Sequence, residues 1–231
     1  MLEIKDVSAW YGESRIIPSL SMNVPAGEIV CLVGRNGVGK STSLKSIMGM
    51  VKTTSGSILL NGEEIIRKET YERASLGIGF VPQGREIFPQ LTVEENLELG
   101  LQVNGGKGKI GEEIFELFPI IKTFLKRKGG NLSGGQQQQL AIARALVSHP
   151  KILILDEPTE GIQPSIIEDI ASAIQRVNSE LGITVLIVEQ YLDFVLSVSN
   201  RYYVMDKGEI TLSGLTKDAD SELIQSKMSI G

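Results

Sequence analysis

The chain has 231 residues, 42% hydrophobic and 22% charged, a balance that supports one sizeable core and excludes wholesale disorder. A net charge of −5, with "FLKRK" as the one dense basic cluster, argues against a nucleic-acid partner, whose phosphates demand a basic face. Cys31 is the single cysteine, which excludes intramolecular disulfides. The absence of a signal-peptide pattern and of any long apolar run then predicts a cytosolic chain that does not span a bilayer.

In chain order, "LEIKDVSAWYG" alternates in part, as a strand does. "SLSMNVPAGEIVCLVG" holds a turn at Pro25–Gly27 followed by a buried strand, with Cys31 inside it. Next comes "GRNGVGKS", which fits G-x-x-x-x-G-K-[ST] and sits between that strand and a helix, "STSLKSIMGM". The candidate phosphate cradle is therefore Gly34, Arg35, Asn36, Gly37, Val38, Gly39, Lys40, Ser41 and Thr42. Its glycines let the backbone curl so that N–H groups point inward, and the helix N-terminus adds partial positive charge. Lys40 can reach the β- and γ-phosphates, and the Ser41 hydroxyl can join a Mg2+ shell.

"TTSGSILLNGEEI" has the Gly and Asn–Gly punctuation of β turns. The middle of the chain reads as helical. "TVEENLELGLQV" starts at a Thr92 cap with Glu95 three residues on, and "GEEIFELFPIIKTFLKRK" breaks at Pro119. "NGGKGK" and "KGGNLSGG" read as loops. In "NLSGGQQQQLAIARAL" Ser133 can cap a helix and Gly134–Gly135 permit close backbone approach. Two readings stay open there: a second anion-binding helix end, or an ordinary capped helix with a glutamine-rich face.

The last third alternates strand and helix, which implies parallel pairing and an α/β fold. "KILILD" is a buried strand ending in Asp156 and Glu157. The first suits a hard cation held through water, and the second can orient an attacking water. "PSIIEDIASAIQRVNSELG" is an amphipathic helix carrying Ile166, Ile167, Ile170, Ile174, Val177 and Leu181 at helical spacing. "VLIVEQYLDF" is a buried strand that stops at Glu189 and Gln190, with a helix from Tyr191; "RYYVMDKGEITLSG" is again β.

"GRNGVGKS", "LSGGQ" and "ILILDE", in this order and spacing, resemble the ATP-binding subunits of ABC transporters over nearly the whole chain. The resemblance implies one domain over 1–231: a P-loop NTPase (RecA-like) core, an N-terminal antiparallel β subdomain and an inserted helical subdomain at about 86–145. It implies ATP and Mg2+, with Tyr11 stacking on adenine and Ser41, Gln83 and Asp156 around the metal. Glu157, Gln190 and Lys40 would act in catalysis. It also implies head-to-tail pairing with a second ABC ATPase subunit, so that Ser133, Gly134, Gly135 and Gln136 close over the partner's ATP. A heterodimer is favoured and a homodimer stays open. The remaining partners would be integral membrane permease subunits, placing the chain on the cytoplasmic face of the inner membrane.

More finely, "FVPQGREIFPQLTVEENL", "DEPTEGIQPSII" and "VEQYLDF" look like the urea-type ATP-binding subunit, within the branched-chain amino acid transporter group. An importer of a small polar solute follows, urea being the first expectation and branched-chain amino acids the alternative. A soluble ABC ATPase without a transporter is a more distant one. Two positions depart from the general pattern: Gln190 stands where most such ATPases have histidine, and "GIQP" places Gln163 where an aspartate is usual. A neutral amide can donate a hydrogen bond to a phosphate oxygen but carries no imidazolium charge.

Overall fold

The computed structural model describes residues 1–229. Its elements, in chain order, are β1 (Leu2–Tyr11), β2 (Ser14–Val24), β3 (Ile29–Val33), α1 (Lys40–Met48), β4 (Lys52–Leu60), β5 (Glu63–Glu64), α2 (Thr70–Ser75) and β6 (Ile78–Val81). Then follow α3 (Val93–Gly100), α4 (Glu112–Leu117), α5 (Pro119–Thr123) and α6 (Gly134–Leu146). The last third holds β7 (Ile152–Asp156), α7 (Pro164–Ser179), β8 (Thr184–Glu189), α8 (Leu192–Val198), β9 (Arg201–Asp206), β10 (Glu209–Leu215) and α9 (Ser221–Ser229). Among the described residues no helix is long and apolar enough to cross a membrane.

The strands form two sheets. An antiparallel one runs β2–β1–β4–β5, and a mixed one runs β10–β9–β3–β8–β7–β6, parallel throughout except for the β9–β10 pair. β3, β7 and β8 are buried along their whole length, which is why they read as unbroken apolar runs rather than as alternating ones. Their side chains still alternate in direction. Cys31, Val33, Leu153, Leu155, Val185 and Ile187 join the core shared with α6, α7 and α8. Their sequence neighbours Val30, Leu32, Ile152, Ile154, Leu186 and Val188 join a second core, shared with α1 and the antiparallel sheet. The central sheet is thus packed on both faces, and its strand ends emerge between the two layers.

Local sequence signals explain most boundaries. Thr92 accepts from the Glu95 N–H at 3.2 Å while Glu95 reaches back to the Thr92 N–H at 2.7 Å, closing the expected capping box of α3. Pro119 opens α5 and separates it from α4. Asn61 and Gly62 take φ of 51° and 82° in the tight turn between β4 and β5. Two details differ from the sequence reading. Gly56 lies inside β4 rather than in a turn, where a Cβ would come within 2.5 Å of the Lys5 and Asp6 carbonyl oxygens at an irregularity in the β1–β4 register. The amphipathic helix stops at Ser179, leaving Leu181 exposed, because Gly182 (φ 67°) turns the chain back toward β8.

Candidate active site

β3 delivers the phosphate loop at the edge where β7 and β8 also end. Gly34 must be glycine because a Cβ would lie 2.6 Å from the Met205 carbonyl oxygen. Gly39, at φ 110°, would drive a Cβ to 2.7 Å from Ile17, so it alone allows the loop to turn into α1. Asn36, Gly37, Gly39, Lys40, Ser41 and Thr42 line a cavity of about 460 Å3, a volume suited to a small-molecule ligand. Gln83, Glu157 and Tyr11 complete it, and the Tyr11 ring stands 62% exposed with the Lys45 ammonium 5.9 Å from its centre. Gly34 and Val38 support the loop from behind, Val38 accepting the Gly208 N–H at 2.8 Å.

The charges meet at the strand ends. The Lys40 ammonium lies 3.1 Å from Glu157 Oε1 and donates to the Arg35 carbonyl at 3.0 Å, with both side chains of the ion pair almost wholly buried. Ser41 Oγ donates to Asp156 Oδ1 at 3.1 Å. Burial pushes the Asp156 carboxyl up to about 6, against the Ser41 hydrogen bond, which lowers it. Gln83 bridges two carboxylates, its amide nitrogen donating to Glu157 Oε2 at 3.2 Å and to Glu160 Oε2 at 3.0 Å.

Glu157 itself has φ 47°, a left-handed backbone that a non-glycine residue adopts at a cost of about 1–3 kcal/mol. Its N–H donates to the Val188 carbonyl at 2.9 Å, so β8 holds it there. The strain aims the carboxylate at Lys40 and into the cavity. For Mg2+ the donor set fits: Ser41 and Asp156 offer hard oxygens. Among the described residues no group of three His, Cys, Asp or Glu forms a cage of its own. One or two protein oxygens beside substrate phosphates is the arrangement this cation prefers.

Gly34, Arg35, Val38 and Asp156 are not part of the cavity lining, and two further sets of expected residues also lie outside it. Gln190 follows β8, but its side chain is exposed and lines a neighbouring hollow with Arg35 and Tyr191. Ser133, Gly134, Gly135 and Gln136 open α6, with Ser133 and Gln136 bonded to each other in a capping box. Gly135 is needed there because a Cβ would meet Ile166 at 2.6 Å.

Sequence reasoning assigned no role to Glu189. Its buried carboxylate accepts the Thr159 N–H at 3.0 Å, the Thr159 hydroxyl at 2.6 Å, and the Gln190 and Tyr191 N–H groups at 2.9 and 3.3 Å. It ties the segment after β7 to the turn that carries Gln190. The signal was present: a carboxylate closing an apolar strand must find donors or stay in water.

Residues 17–160 match the family pattern described as ABC transporter. The chain is 41% identical over 220 residues to the high-affinity branched-chain amino acid transport ATP-binding protein BraG of Pseudomonas aeruginosa, covering 92% of this chain and 91% of that protein. It is 37% identical over 221 residues to the probable branched-chain amino acid transport ATP-binding protein LivF of Archaeoglobus fulgidus, covering 94% and 93%. Among solved structures, the dimeric post-hydrolysis state of the ATP-binding cassette MJ0796 bound to ADP and Pi superposes with a TM-score of 0.83 at 30% identity, over 94% of this chain and 99% of that one. A phosphate loop, paired carboxylates at the end of β7 and these likenesses have one common explanation: the chain belongs to the ABC transporter family, as an ATP-hydrolysing, ATP-binding subunit that works with Mg2+.

Proposed function

We propose that this chain powers an importer of branched-chain amino acids from the cytoplasmic face of the cell membrane, paired head to tail with a second ABC ATPase and docked on permease subunits. The observation that carries the cargo is the 41% identity to a branched-chain amino acid transport subunit across nearly the full length of both chains. Urea rests on motif resemblance alone and is the second reading. Uptake of radiolabelled leucine and urea, with and without this chain, tests both. Leucine uptake that depends on the chain is expected, and uptake of urea alone would overturn the amino-acid reading.

Within the site, the loop amides and Lys40 bind the β- and γ-phosphates, and Tyr11 offers its exposed ring to the base. Since Lys40 is held by Glu157, incoming phosphate competes for the ammonium and frees the carboxylate. Glu157 then orients a water against the γ-phosphorus and takes its proton as the bond to the β–γ bridging oxygen breaks, releasing ADP and phosphate. Mg2+, when bound, would neutralise charge on the phosphate oxygens; Ser41 and Asp156 would hold it, and Gln83 would add its amide oxygen. Gln190 donates its amide to a γ-phosphate oxygen once the paired subunit closes the site, and the partner's counterparts of Ser133–Gln136 complete the cradle.

A further inference from the structure

The short turn after Gln83 is held in an unusual way. Arg85 and Glu86 take φ of 72° and 44° in succession, both left-handed and neither glycine. Such a pair persists only where its surroundings fix it. Here α6 fixes one side: Arg144 donates from Nη2 to the Glu86 carbonyl at 2.8 Å, and its guanidinium lies 5.5 Å from the Phe88 ring centre. The segment after β7 fixes the other, because Arg85 Nη2 donates to the Glu160 carbonyl at 3.3 Å. The Glu160 carboxylate meanwhile receives the Gln83 amide at 3.0 Å. The Arg85 guanidinium also covers Gly134 at the start of α6, so closely that a Cβ there would come within 3.1 Å of it.

We infer that Arg85 and Glu160 are positioning residues for hydrolysis, a clamp that sets Gln83 beside Glu157 and registers it against Gly134 of α6. Glu160 acts through its carboxylate, which accepts from the Gln83 amide nitrogen alongside Glu157 and so fixes where that amide waits. Arg85 acts as the strut between three segments: the Gln83 turn, the Glu160–Gly161 loop and the N-terminus of α6. A displacement of Gln83 by nucleotide is thereby carried to Ser133–Gln136, the residues proposed to face the partner's ATP. The inference rests on the hydrolysis reading given above.

The test uses the full chain in its closed pair. In steady-state Mg·ATP hydrolysis, Arg85→Ala and Glu160→Ala each lower kcat by about tenfold while KM for ATP stays within about twofold, and Arg85→Lys restores part of the rate. In a Gln83→Ala background either change costs less than about twofold, since the residue they position is gone. Full losses that persist in that background, unchanged kcat in the single variants, or losses confined to KM or to the melting temperature would each overturn the clamp. Hydrogen exchange gives a readout independent of turnover. Mg·ATP alters exchange at 83–86 and at 133–136 in the wild type, and only at 83–86 in Arg85→Ala. No response at 133–136, or the same response in both proteins, overturns the strut. A Glu157→Gln chain that hydrolyses at the wild-type rate would instead sink the hydrolysis reading, whatever the additivity shows.

Discussion

Glu157 and Asp156 are adjacent carboxylates given different tasks in the proposed mechanism, and their surroundings differ. Glu157 is neutralised by Lys40 and bonded by Gln83, whereas Asp156 has the Ser41 hydroxyl and the burial of a strand end. Glu157→Gln is expected to bind ATP while turnover falls on the order of 100-fold or more, the usual weight of a general base, as read by single-turnover hydrolysis and nucleotide retention. Retained turnover would remove Glu157 from that role. Asp156 yields a pH prediction. Its folded-state value, about 6, lies above the ordinary 3.8, so its contribution to stability is fully present below about 3.8 and is lost as pH rises through about 6. In nucleotide-free protein with chelator, the wild type should therefore lose stability relative to Asp156→Asn between those values and run parallel to it above them, as followed by urea midpoints at each pH. Gln190 stands apart from the cavity, so Gln190→Ala should leave ATP affinity of the single chain unchanged and slow hydrolysis only in the closed pair. Equal rates for Gln190→Ala, Gln190→His and wild type in that pair would make the amide a bystander.

At the level of elements, the site depends on three strands ending side by side, and on helices that are individually short. α3 spans eight residues and relies on its cap, so Thr92→Ala should cost about 1 kcal/mol in denaturant unfolding without altering nucleotide affinity. β8 sits between β3 and β7, and Ile187 is fully buried in the helix-side core. Ile187→Ala should cost roughly 2–5 kcal/mol, the range for cavities in packed interiors, and would also loosen the neighbouring Val188, whose carbonyl holds Glu157. A loss of activity larger than the loss of stability explains would show that β8 supports the strained Glu157 backbone directly.

For the whole molecule, the disposition of the phosphate loop and the α6 N-terminus is the informative feature. The α6 N-terminus carries a complete capping box yet lies outside the phosphate-loop cavity of its own chain, which fits a site completed by another subunit. With ATP and Glu157→Gln, a stable pair is expected once a second, non-identical ABC ATPase is supplied, read as a doubling of mass by light scattering. A stable pair of this chain alone would favour the homodimer instead.

The phosphate loop, the Asp156–Glu157 strand end, the Thr92 cap and the α/β alternation were all legible in the sequence, because each depends on neighbours within a few residues. Gln83 and Tyr11 were named by the family resemblance alone. What the chain order left out was everything decided by separation in sequence and proximity in space. The Lys40–Glu157 pair joins the start of α1 to the residue that follows β7, Glu189 gathers donors from Thr159 and from its own turn, and Arg85 meets both Glu160 and Gly134. The exposed place of Gln190 is of the same kind: the run "VLIVEQ" fixes a strand and its end, but which hollow the last side chain faces depends on how α8 and the phosphate loop pack around it. Periodicity and spacing encode elements because hydrogen bonds and side-chain direction repeat along the backbone. Contacts between elements are set by close packing of the two cores, and that is settled only when the sheet and its helices are assembled.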